Sequence, residues 1–508
     1  MVKNGYNLEE KNGDQVGEMN GFNDLMSELE LLEKKMMKVV ADHHKMIEQI
    51  NPEQKSSCIN LLSYLALRSE DIRELQNRLH GFGLSSLASS ESHISSQMNA
   101  ILERLGKDRH SGGKNLYTYE EAFNDIGRKA RFLFGQKAEL TVPYIMVTLE
   151  TEHASDHHRI KELLLAGMNV ARINCAHDNE KIWAGMVEGI KKSSVETGLS
   201  CKIYMDLAGP KIRTFFHGKK SGGQKIEIKC GERIYLSDEK AIHHEKIVGC
   251  TIKGIVTQLK KGERVLFDDG SIECKVERVS KDGATLEVER ISREKPYIKA
   301  EKGINFPDSK LTISSLTDFD RKCLPFICRN ADLVGYSFVR TAKDLEILQS
   351  LIKGQSDKAP YVILKIETQE AVENLPALLI QGMRERTFGV MIARGDLAIE
   401  VGFERLSEVQ EEILWISEAA HVPVIWATQV LDMMNKSGQA TRSEITDATY
   451  SGLAECVMIN KGKHTLEVIK TLKDILFRGG GHHLKKRYTF RPLNIARSYL
   501  SSAQQTKN

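Results

Sequence analysis

From Val142 onward, short apolar runs rich in β-branched residues alternate with amphipathic stretches of helical period, and this alternation limits the possible folds more than any other feature of the chain. The strand-like runs are YIMVTLE, NVARINC, CKIYMDL, DLVGYSF, YVILKIE, GVMIARGD, VPVIWATQ and ECVMIN. Helical stretches such as HHRIKELLLAG, AKDLEILQSLIKG and RLSEVQEEILWISEAA lie between them. Strands separated by helices must run parallel, because a parallel partner is reached only through a crossover. Eight such units predict a closed (β/α)8 TIM barrel in preference to an open sheet.

One interruption is large. After the third strand, IEIKCGERIYL and GERVLFDDGSIECKVERV alternate with period two and are punctuated by glycine, as half-exposed strands are. Before the barrel, Leu25, Leu29, Leu32, Met36 and Val39 recur at helical spacing between Phe22 and Ile50. A second helix carries Leu61, Leu65, Leu75 and Leu79, and a third places Ile94, Met98 and Ile101 on one face. The expected organisation is a disordered polar tail (1–20), an all-α segment (21–105), a linker (106–140), the barrel (141–214 and 298–480), an inserted small β-barrel lid (215–297) and a basic tail (481–508).

A net charge of +3 over 508 residues lacks the electrostatic footprint of a nucleic-acid binder. No run of about 18 apolar residues is present to span a bilayer. The nine cysteines stand singly without a CxxC, which fits reduced thiols. The first residues carry more acid than base and lack the apolar core of a signal peptide. A cytoplasmic protein is expected, or a plastid one if the chain is the shortened form of a longer precursor. The His-His pairs share no ligand spacing.

In a parallel barrel the chemistry gathers at the C-terminal strand ends. Those ends offer Arg172, Asn174 and His177 after strand two, Asp206 after strand three, Lys365 and Glu367 after strand five, Arg394, Gly395 and Asp396 after strand six, and Thr428 and Gln429 after strand seven. Lys365 and Glu367 are two apart, so they share the barrel-facing side of an apolar strand, where charge is costly unless paired or functional. Glu367 and Asp396 lie on adjacent strands and can share one hard cation, Mg²⁺ being the usual guest of two carboxylates plus substrate oxygens. A buried salt bridge of Lys365 with Glu367 or Asp396 is the alternative. Arg172, Lys365 and Mg²⁺ around one pocket suit a phosphorylated, acidic substrate. The turn at Gly395 opens a helix whose free N–H groups can take a carboxylate. Neither a P-loop nor a kinase glycine loop is present.

NVARINCAH, MDLAGPKIRT, AEKGINFP, VILKIET, VMIARGDLAIE and VIWATQVLDMM, in this order around an inserted β domain, resemble the pyruvate kinase family. The resemblance runs from about Val142 to Gly479. It implies Mg²⁺-dependent phosphoryl transfer from phosphoenolpyruvate to ADP, giving pyruvate and ATP in glycolysis, and a homo-oligomer. By motif, it implies that Arg172 contacts the transferring phosphate and Lys365 stabilises the transition state and enolate. Glu367 and Asp396 would hold Mg²⁺, N–H groups near Gly395 the substrate carboxylate, and Thr428 a proton relay. Asn174, His177, Arg213 and Lys302 would meet the nucleotide.

Most family members carry Glu where this chain has Lys211, and need K⁺. Here the K⁺-binding Ser and Thr positions are Ala176 and Leu207. Lys211, with Asn174 and Asp206, is therefore expected to replace the monovalent cation and remove the K⁺ requirement. Other departures concern the strand-one loop, Thr148 to Ala154, the run Cys175-Ala176-His177-Asp178, the strand-eight end Ile459-Asn460-Lys461-Gly462, and a C-terminal effector domain without counterpart. Two other readings remain open: a catalytically weak regulatory or scaffold protein on the same barrel, and another Mg²⁺-enolate enzyme acting on phosphoenolpyruvate or pyruvate without ADP.

Overall fold

The computed structural model describes residues 8–107, 116–137, 142–216, 225–238, 246–292, 296–355, 359–480, 483–484 and 487–488. The chain divides into two compact units: Met1–Lys129 with Leu379–Arg386 and Trp415–Val422, and Ala130–Leu378 with Thr387–Leu414 and Pro423–Asn508.

The second unit contains the barrel. Its strands are β1 (Tyr144–Thr148), β2 (Val170–Asn174), β3 (Lys202–Asp206), β4 (Leu333–Tyr336), β5 (Tyr361–Ile366), β6 (Gly389–Ala393), β7 (Val424–Ala427) and β8 (Cys456–Ile459). They close in the order β1-β8-β7-β6-β5-β4-β3-β2, and neighbours run parallel. Ala130, Leu133 and Phe134 pack with Tyr144, Met146, Val170, Tyr204, Ile363, Met391 and Met458 in one buried cluster. Side chains alternate along each strand, so these residues fill the barrel interior and leave the polar residues to the strand ends.

That cluster corrects the linker expectation for 106–140. A helix, Tyr119–Phe134, occupies much of the stretch, and its last turn supplies Ala130, Leu133 and Phe134 to the barrel core. The apolar spacing of Ala122, Ile126, Ala130, Leu133 and Phe134, all buried, is that of an amphipathic helix.

The insert leaves after β3 and returns before β4. Where the sequence suggested a small β-barrel, its described strands pair as a seven-stranded sheet and a two-stranded ribbon. The sheet encloses its own core of Ile234, Leu236, Val265, Phe267, Ile272, Val276, Leu286 and Val288.

In the first unit, Leu25, Leu29, Leu32, Leu61, Leu75, Leu79, Ile94, Met98 and Ile101 are buried as the periodicity predicts, whereas Val39 and Leu65 are half-buried. Two expectations are corrected. The first helix begins at Leu8, inside the stretch expected as a tail, and the second expected helix is two, Lys55–Arg68 and Arg73–Gly81. Asp71 explains the break: its carboxylate accepts from the Arg73 backbone N–H at 3.2 Å, starting a new helix. His421, fully buried, bonds Ser57 Oγ at 3.0 Å and the Ser92 carbonyl at 2.7 Å. Lys129 joins the same network through Ser57 (3.2 Å) and Asp125 (2.9 Å).

Candidate active site

β2 and β3 pair with Arg172 opposite Tyr204 and Asn174 opposite Asp206. Arg172 reaches the last residue of its neighbour: its Nε and Nη2 stand 2.6 and 2.5 Å from Asp206 Oδ2, while Nη1 donates to Thr148 Oγ1 at 3.0 Å. Tyr204, two residues before Asp206 and on the same face, donates its hydroxyl to Oδ1. From β5, Lys365 Nζ lies 3.7 Å from that same Oδ1, 2.6 Å from Ser337 Oγ and 3.1 Å from Glu367 Oε1. Glu367 accepts the Phe338 backbone N–H at 2.6 Å. Arginine, aspartate, lysine and glutamate thus alternate in sign across the ends of three strands, β2, β3 and β5, and Asp206, Lys365 and Glu367 are all buried.

This alternation sets the protonation states. Burial alone raises the Asp206 carboxyl, but Arg172 and then Lys365 pull it below the usual range. Burial works against the Lys365 ammonium, yet Asp206 and Glu367 outweigh it and hold it charged. Glu367 goes the other way: burial first, then the nearby Asp396 carboxylate, raise it against the pull of Lys365 and the Phe338 N–H. A carboxyl pushed up by a second carboxylate is one that a cation shared by both would relieve. Among the described residues no cluster of three or more His, Cys, Asp or Glu side chains is placed to hold a metal. The donor set here is two carboxylates, which fits Mg²⁺, an ion that keeps water and substrate oxygens for its other positions.

β6 runs directly into the helix Arg394–Val401, which presents Gly395 and Asp396 in its first turn. Asp396 is paired with Lys211, Nζ to Oδ1 at 2.7 Å. The expected partner of Lys211 was Asp206. That carboxylate already accepts from Arg172 and Tyr204 and has the Lys365 ammonium 3.7 Å away, and Lys211 pairs with Asp396 instead. Asn174 is engaged by its own loop, accepting the Ala176 N–H at 3.1 Å.

Thr428 follows β7 with φ +68°, and Gln429 with φ +59°. A β-branched residue in the left-handed region is strained and is held there by its surroundings. The holding group is Arg394, whose Nη2 donates to the Thr428 carbonyl at 2.5 Å and whose Nε donates to the Ala427 carbonyl at 3.1 Å. Asp447 accepts from the Nη1–Nη2 edge of the guanidinium, from Nη2 at 2.9 Å, and the Trp426 ring lies 4.8 Å from it. Thr428 Oγ1 is buried without a hydrogen-bond partner among the described residues, and it lies 3.4 Å from where a Cβ on Gly395 would stand.

The residues expected to meet nucleotide lie further out. Arg213 donates to the Glu301 carbonyl at 3.1 Å, and Lys302 pairs with Asp268 at 3.0 Å. His177 is held below its usual value by burial and by the charges of Lys461 and Arg213, so these three basic groups share one neighbourhood. Lys461 was missed as a candidate, although it stands at the end of strand eight. Ser337 was missed as well; the strand-end rule applied to DLVGYSF would have found it. Tyr204, Asp447 and Glu400 carried no such signal.

Glu400 receives Asn305 Nδ2 at 2.9 Å, and burial raises its carboxyl to about 7. The group ionises more readily in the unfolded chain, so its stabilising contribution is full at low pH and is lost as pH rises through about 7. Glu400→Gln keeps the acceptor for Asn305. Relative to the native chain it should gain about 2 kcal/mol between about pH 5.5 and pH 8, read as a widening difference in melting temperature.

A parallel eight-stranded barrel with an insert after its third strand and its charged groups at the strand ends defines the class of molecule. Residues 143–465 match the family model for the pyruvate kinase barrel domain, and the chain belongs to the pyruvate kinase family. It is similar to the pyruvate kinase of Staphylococcus saprophyticus, 31% identical over 324 residues (62% of this chain, 53% of the relative). It is also similar to those of Geobacillus stearothermophilus and Bacillus licheniformis, each 30% identical over 328 residues (63% of this chain, 54% of the relative). The chain thus spans about half the length of the curated relatives it matches.

Proposed function

We propose that this chain transfers a phosphoryl group from phosphoenolpyruvate to ADP, with Mg²⁺ held by Glu367 and Asp396 and without a requirement for K⁺. The observation that carries the reading is Lys365, a buried ammonium held charged among Ser337, Asp206 and Glu367 at the barrel rim. Such a cation acts where negative charge passes from phosphate to enolate. Arg172, fixed by Asp206 and Thr148, faces the transferring phosphoryl. N–H groups of the first turn at Gly395 take the substrate carboxylate. The bond from the enol oxygen to phosphorus breaks as a terminal oxygen of ADP bonds phosphorus, and the enolate carbon then takes a proton relayed by Thr428 Oγ1. Bound Mg²⁺ would supply charge neutralisation and orientation of the phosphate oxygens. Asn174, His177, Arg213 and Lys302 serve the nucleotide, and Lys211 supplies the monovalent charge.

A coupled assay of the purified chain with phosphoenolpyruvate, ADP and Mg²⁺ should give ATP at a rate that KCl does not raise. Absence of phosphoenolpyruvate-dependent ATP removes the kinase reading. Strong stimulation by K⁺ removes only the role given to Lys211. One observation favours the weaker, regulatory alternative: Thr151 Oγ1 of the strand-one loop donates to Asp178 of the strand-two loop at 2.9 Å, so a carboxylate is held next to His177, a residue assigned to a polyphosphate. In that case the chain should bind phosphoenolpyruvate without turnover.

A further inference from the structure

Two bonds tie the lid hinge to the helix Arg394–Val401, and one of them uses the residue assigned to the divalent cation. The hinge is a ribbon formed by both crossings between barrel and insert. The Thr214 N–H donates to the Lys302 carbonyl at 2.8 Å, and the Ile304 N–H to the Ile212 carbonyl at 2.9 Å. Arg213 and Gly303 are bridged in antiparallel fashion. Lys211 belongs to this ribbon. Its Cε lies 3.4 Å from where a Cβ on Gly303 would stand, so the stem runs along the opposite crossing before the ammonium reaches Asp396 at 2.7 Å. The second tie is Asn305 to Glu400, one helical turn further along.

Resting on the reading of Glu367 and Asp396 as ligands of a divalent cation, we propose that Lys211 is a displaceable counter-ion: it holds Asp396 until the cation arrives, and its expulsion releases one of the two ties on the lid hinge. The argument is electrostatic. An ammonium and a divalent cation on one carboxylate repel each other at ion-pair distance. The Lys211 and Asp396 side chains are 27% and 17% exposed, so water screens that repulsion only in part. Asp206 is the poorer partner for the expelled ammonium, since Arg172 and Tyr204 already bond it and the Lys365 charge stands 3.7 Å away. Cation binding therefore works against the Lys211–Asp396 pair, and the hinge ribbon loosens from the barrel helix as the site is loaded.

The test is Mn²⁺ binding to the full chain, followed by the electron paramagnetic resonance of free Mn²⁺, with hydrogen exchange of the backbone over 207–214. Lys211→Gln should tighten Mn²⁺ about tenfold, whereas Lys211→Arg, which keeps the charge, should stay within about twofold of the native chain. Mn²⁺ should speed exchange at 207–214 in the native chain and leave it unchanged in Lys211→Gln. Equal affinities in native and Lys211→Gln, or no change of hinge exchange in the native chain, overturn the inference and leave the metal site standing. Absence of Mn²⁺ binding in both, or binding indifferent to Asp396→Asn, overturns the inference together with the metal site.

Discussion

Replacing Lys365 by methionine should lower turnover about a thousandfold, the scale on which a preorganised charge aimed at a transition state is felt. Methionine is close to lysine in length and volume, so packing changes little and the loss falls on the charge. Two further consequences separate this from misfolding. Asp206 keeps Arg172 and Tyr204, but Glu367 loses its counter-charge and keeps, among the described residues, the Phe338 N–H. Breaking one partner out of a buried ionic chain costs about 3 kcal/mol, so the melting temperature should drop while circular dichroism at room temperature stays native. Binding of phosphoenolpyruvate should persist more than turnover does, because Arg172 and the first turn at Gly395 are untouched. A variant that is folded and as active as the native chain would falsify the role given to this lysine.

The strand alternation and the rim residues of β2, β3, β5, β6 and β7 were legible because both follow from local rules: period two inside, and chemistry at C-terminal strand ends. The pairing among those residues was not. Lys211 and Asp396 are 185 positions apart, and sequence gives no means of ranking Asp396 against Asp206 until Arg172, Tyr204 and Lys365 are seen to fill the latter. Arg394 was named as a strand end, yet its work on the backbone of Thr428 depends on a carbonyl, and carbonyls leave no trace in residue type. The helix Tyr119–Phe134 was hidden differently. Its apolar face is regular, but glycines and charges at 106–115 draw the eye to a linker, and the role of its last turn appears only once the barrel interior needs filling.

Gly335→Ala should be the most damaging single methyl group that can be added near the site. Gly335 stands in β4 directly opposite Asp206 of β3. A Cβ built there falls 2.0 Å from the Tyr204 hydroxyl and 2.1 Å from Asp206 Oδ1, far inside contact distance. Neither neighbour can step aside cheaply. The Tyr204 ring is fully buried in the barrel core, and Asp206 is pinned by Arg172. Overpacking of this kind costs about 1–3 kcal/mol, and here the methyl also pushes the one carboxylate that orients both Arg172 and Lys365. Turnover should fall about a hundredfold or more, since small misplacements of a reacting group carry penalties of that size. The melting temperature should drop as well. Adding Tyr204→Phe removes the nearest of three colliding atoms and leaves the ring carbon Cζ at 2.6 Å, so the double variant should recover part of the lost stability and little of the activity, because Asp206 still meets the methyl and has lost the tyrosine hydroxyl. If Gly335→Ala were as stable and active as the native chain, Asp206 would have room to move, and the fixed alternation of charge across the rim could not be what prepares Lys365 and Arg172 for the substrate.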